Sequence, residues 1–269
     1  MSPLDIPQLD WNDFRVNPAV DAACRDLGAR ADRPILLHNR ALVPRIENGF
    51  RTAWSGGIHI FVDPESPTCS HTLVHELLHE ILIAEGYSQI ANIRRDLDLL
   101  REILANDMQH PEIFRRMEEV YKIDMEPYWG HWHNEMRRSV GIVKERTKIK
   151  DCWLTYFPRV YTWFFQKVSE PYLAEYAPWC STLYRAVETA AKETEQIGFT
   201  TAEKHLRSIE LFREHWMKFC KRNLPHSSYG PPPHTPILES TVSPIIERDM
   251  TVTADNIIAL LSNSGFDAR

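Results

Sequence analysis

His75-Glu76-Leu77-Leu78-His79 is the stretch on which the reading of this chain turns. Two histidines four apart on an α-helix are rotated by about 40° from one another, so both imidazoles leave the same face. Two ring nitrogens so placed can reach one ion at about 2.0–2.1 Å each, the distance zinc takes to histidine. Glu76, next to the first histidine, sets a carboxylate where it can accept a proton from a metal-activated water. A helix that carries these residues by chance has the same spacing, so the flanking sequence has to decide.

Upstream, Gly57-Ile58-His59-Ile60-Phe61-Val62 is β-branched and aromatic and is bounded by Gly56-Gly57 and Asp63-Pro64. It reads as a strand. Residues 64–70 form a turn-rich loop, and Ser70 offers an N-cap. Leu73, Val74, Leu77, Leu78, Ile81 and Leu82 then supply the apolar side of a helix that ends near Gly86. Strand, loop and a largely apolar helix leave one polar stripe, the motif itself, to face a cleft.

Over residues 55–112 this pattern resembles the zincin metallopeptidases. The resemblance implies a zinc ion on His75 and His79, with Glu76 as general base and then proton donor to a leaving amine. It also implies hydrolysis of an amide bond in a peptide or protein substrate, held along an edge strand that contains His59. The metzincin variant needs Gly at 82 and His at 85; the chain has Leu82 and Glu85, which excludes it.

A zinc site needs a third protein ligand. Glu102, Asn106 and His110 are spaced four apart and share one face of a helix. In the thermolysin-like pattern Glu102 is the ligand, with Asn106 in support where that family usually has Asp. Alternatively His110, at a helix end before Pro111, completes a three-histidine set, and Asp107 is a further candidate. The segment Asn106-Asp107-x-x-His110-Pro111 favours His110. For the oxyanion of a hydrolytic step, His71, His59, Tyr128, His131 and His133 are candidates. His71 comes first, because it lies one turn before His75.

The chain has 269 residues and 43% hydrophobic residues, enough for a packed core in one large or two small domains. Its net charge of −6 gives no concentrated basic face, which excludes nucleic acid and anionic membrane as partners. No apolar run is long enough to span a bilayer, and the first fourteen residues have no signal-peptide core. Five scattered cysteines without paired spacing read as free thiols of a cytoplasmic protein. Cys69, just before the motif helix, reads as a loop thiol rather than a ligand.

The expected fold is α+β and mostly helical: a small sheet and active-site helix in a zincin-like region, residues 1–125, with a large helical subdomain, residues 126–224. Helices are expected at residues 18–30, 92–108, 111–121, 133–149, 153–168 and 172–197, with Pro158 and Pro178 kinking or dividing the last two. Another is expected at residues 201–222, opened by a Thr200–Glu203 capping box and striped by Ala202, Leu206, Ile209, Phe212, Trp216 and Phe219. A strand is expected at residues 35–38. Residues 225–236 are proline-rich and extended, so residues 225–269 read as an arm with a short terminal helix, suited to self-association.

Three functions fit these residues. The first is a zinc metallopeptidase. The second is a metal-dependent enzyme acting on a small biosynthetic molecule through the same site. The third is a non-catalytic helical binding protein, against which Glu76 argues, because a purely structural site has no use for that carboxylate.

Overall fold

A computed structural model describes residues 8–30, 34–42, 50–54, 57–87 and 106–224. The fold is α+β and mostly helical. The expected helix at residues 92–108, apart from its last turn, and the arm from residue 225 lie outside the described residues.

In chain order the described elements begin with helices α1 (Trp11–Phe14) and α2 (Pro18–Gly28) and strands β1 (Ile35–Asn39), β2 (Phe50–Trp54) and β3 (Gly57–Val62). The motif helix α3 (Cys69–Ala84) follows, then α4 (His110–Glu119), α5 (Glu126–Arg146), α6 (Trp153–Trp163), α7 (Glu170–Tyr176), α8 (Ser181–Ile197) and α9 (Ala202–Asn223). They fall into two compact units. The described residues of the first lie within 8–85 and 115–127, and those of the second within 86–114 and 128–224. The division runs through α4, which is one continuous helix.

In the first unit the strand order is β1-β3-β2, with β1 parallel and β2 antiparallel to β3. The strand through His59 is therefore central, not the edge strand that the resemblance implied. Strand β2 was not foreseen from the sequence, and it takes the place beside β3 where an extended peptide was expected. All six residues of β3 are buried, so both faces of this central strand are covered, with α3 packed on it. Gly57 is needed where it is: a Cβ there would lie 3.3 Å from the Pro34 carbonyl oxygen.

Asn17 caps α2 by accepting from the backbone N–H groups of Ala19 and Val20, and Pro18 takes the first helical position. Val20, Ala23 and Leu27 face α3, which also packs on β3. Helix α3 starts at Cys69 after Thr68, one residue before the expected Ser70 cap, and no side chain caps it. It ends as expected near Gly86, whose φ of 90° is open to glycine and strained for other residues. Burying an apolar side chain such as Leu77 stabilises the fold by about 1.5–3 kcal/mol, and α3 buries Leu73, Val74, Leu77, Leu78, Ile81 and Leu82.

The second unit is helical. Pro158 sits inside α6 and has no N–H to give to the carbonyl of Leu154 four residues back. That carbonyl instead accepts from Trp216 Nε1 at 3.1 Å, so an α9 side chain satisfies the group that the proline orphans. Tyr161 and Phe212 lie 4.7 Å apart by ring centroids and Phe157 and Phe219 5.0 Å, joining the α6 and α9 stripes into one aromatic core.

Two boundaries differ from expectation. Helix α5 begins at Glu126, seven residues before residue 133, because Pro127 serves as a first-turn residue and the aromatic run after it is helical. Thr201, not Thr200, caps α9, and its hydroxyl accepts from the N–H of Lys204, so Glu203 has no capping-box role. Pro178 does divide its helix, into α7 and α8. All five cysteines are free, and no helix among the described residues is long and apolar enough to cross a membrane.

Candidate metal centre

Helix α3 puts His75 and His79 one turn apart, and their Nε2 atoms face each other at 3.2 Å. The rings meet edge to face, with centroids 4.9 Å apart. Two nitrogens bound to one tetrahedral ion at zinc distances stand about 3.3 Å apart, so this pair already has the spacing of two ligands. His110, the expected third ligand, is the first residue of α4 and belongs to the second unit. All three residues are buried, with His79 at 0% exposure. Two facing imidazoles shut away from water are costly unless something satisfies their lone pairs, and a cation does so. The residues fit a metal ion.

Glu76 is 8% exposed, and its Oε1 lies 3.9 Å from His75 Nε2. Its carboxylate thus reaches the place where the histidine nitrogens converge. Glu85, which takes the metzincin position, is turned to other work: it binds Arg116 at 2.6 and 3.1 Å, with Arg30 3.5 Å away. Of the other candidate third ligands, Glu102 lies outside the described residues, and Asp107 lies in the second unit with His110. Burial pushes the Cys69 thiol up to about 11, which keeps it from being a thiolate.

A 3-10 turn, Asp107–Gln109, delivers His110 into α4. Asn106 Nδ2 lies 3.4 Å from both Asp107 Oδ1 and His110 Nε2, and Asp107 Oδ1 lies 4.0 Å from His110 Nδ1. Thr162 donates to Asp107 Oδ2 at 3.4 Å. Burial pushes the Asp107 carboxyl up to about 6, against the pull of Arg159. The His110 ring is held between Phe114 and Trp132, at centroid distances of 5.3 and 5.5 Å. These aromatic contacts were not read from the sequence, although the His110-x-x-x-Phe114 spacing carries the first of them.

The proposed oxyanion helpers are placed as follows. His71 Nε2 donates to the carbonyl of Asp124 at 2.7 Å, tying the start of α3 to the segment before α5. His59 Nδ1 stands 2.9 Å from His38 Nε2 in a buried pair across β1 and β3. Tyr128 packs in the aromatic group with Phe114 and Trp132. Tyr172 donates to the His133 carbonyl at 2.8 Å and lies 3.3 Å from His133 Nδ1. His131 is exposed.

No protein-family model, curated protein or solved structure matches the chain.

Proposed function

We propose that the chain is a zinc-dependent hydrolase that cleaves an amide bond in a peptide or protein, a zincin-like metallopeptidase. The observation that supports this most is the facing pair His75 and His79 with the Glu76 carboxylate beside them, and we take His110 as the third ligand. Three histidines would hold a zinc ion and leave it room for water or substrate, which is the arrangement of catalytic rather than structural zinc. Zinc bound there supplies a Lewis acid that polarises a carbonyl and lowers the pKa of water.

The remaining work falls to the chain. Glu76 takes a proton from the attacking water on Oε1 or Oε2 and returns it to the leaving nitrogen. Helix α3, buried along the motif, holds both histidines and Glu76 in fixed relation. Burial excludes bulk water, which strengthens every charge interaction at the site.

The same burial favours a second reading. With Glu76 and all three histidines under a tenth exposed, a small molecule reaches the site more readily than a folded protein does.

Glu76→Gln tests the hydrolytic reading, because the amide keeps the shape but cannot accept a proton. Metal content is expected to stay unchanged while turnover of a peptide library falls by about 10²–10⁴ or more. Near-normal turnover would remove Glu76 as the base.

A further inference from the structure

We propose that Asp107 is the positioning residue of the metal centre, fixing which nitrogen His110 presents; this rests on the reading of His75, His79 and His110 as ligands. Residues three apart on a 3-10 turn eclipse one another. The turn Asp107–Gln109 therefore stacks the Asp107 carboxylate on the same side as the His110 ring, with Oδ1 4.0 Å from Nδ1. At that distance the two attract without a hydrogen bond. A proton held on Nδ1 by this carboxylate leaves the Nε2 lone pair for the ion, the same atom that His75 and His79 turn toward each other.

The surroundings of Asp107 suit that task. Thr162 donates to Oδ2 and Asn106 to Oδ1, so both carboxylate oxygens have a partner. Asn106 bridges from Asp107 to His110 Nε2 at 3.4 Å, a long contact that would cost little to give up. A carboxylate facing Nδ1–H would make Nε2 a more basic donor to an ion. The arrangement explains the spacing Asn106-Asp107-x-x-His110: the first two side chains brace the third.

The experiment uses the full-length protein with Asp107→Asn, Asp107→Ala and His110→Ala, each measured three ways. These are zinc affinity by chelator competition, the visible spectrum of the cobalt-substituted protein, and melting of the metal-free protein. The expected result is a loss of zinc affinity of roughly 10–100-fold for Asp107→Ala and a smaller loss for the isosteric Asp107→Asn. The cobalt bands should keep the wild-type shape in both Asp107 variants and change in His110→Ala. Metal-free melting of Asp107→Asn should match the wild type, which separates positioning from a structural role.

Asp107 variants with wild-type zinc affinity would overturn the proposal and leave the three-histidine reading standing. A cobalt spectrum altered by Asp107→Asn as much as by His110→Ala would make Asp107 a ligand instead. A wild-type protein that takes up no metal would overturn both.

Discussion

Helices α3 and α9 each bury histidine in an apolar setting, and the difference between them shows how a site is told from a core. In α9, His205 is fully buried and packs on Tyr87 at 5.2 Å by ring centroids, and neither of its ring nitrogens has a hydrogen-bond partner among the described residues. Burial pushes it down to about 4, so it is a neutral, aromatic-like filler of a helical core. In α3, His75 and His79 aim nitrogen at nitrogen, and the Glu76 carboxylate lies beside the pair. Burial is common to both. Convergence belongs to α3 alone.

The contrast breaks first if the third ligand is elsewhere. His110→Ala should weaken zinc binding by well over the roughly 100-fold that loss of a supporting residue reaches, whereas Glu102→Ala should do far less. Chelator competition on both variants checks the ranking, and the reverse order would move the site to the thermolysin-like ligand set.

On the α9 side, Phe212→Ala should cost about 3–5 kcal/mol of stability by opening a cavity beside Tyr161 and Phe157. Urea denaturation reads that loss, while metal content of the folded variant should not move. A change in metal content would mean that α9 carries more than packing.

His205 gives a smaller and pH-dependent effect. Its folded pKa lies below the unfolded value of 6.5, so the unfolded chain binds more protons as the pH falls. Its contribution is therefore intact above pH 6.5 and is lost progressively down to about pH 4, by about 3 kcal/mol in all. His205→Leu should flatten that part of the stability profile in metal-free protein. An unchanged profile would show that His205 is not the buried neutral group described here.

What the sequence made legible follows from which interactions are local. The strand Gly57–Val62 and the helix around His75 are written in short-range pattern, and so is the break that Pro178 makes between α7 and α8. The order β1-β3-β2 is not, because strand pairing depends on residues far apart; this is why His59 was placed on an edge. Residues 50–54 form a short strand whose sequence has no clear alternation to mark it. The start of α5 was hidden by Pro127 and Gly130, which read as loop residues although a proline fits a first helical turn. At the site, the i,i+4 spacing announced His75 and His79. His110 is one of several candidates on a shared face, since a third ligand from a distant segment is set by the tertiary fold and not by periodicity.

Metal content of protein purified without added metal, measured for the wild type and for His75→Ala/His79→Ala, tests the central claim most directly. The account predicts about one zinc per wild-type chain and none in the double variant, with both proteins folded by circular dichroism. A double variant that keeps its full metal content, or a folded wild type that carries none and takes up none, would contradict it.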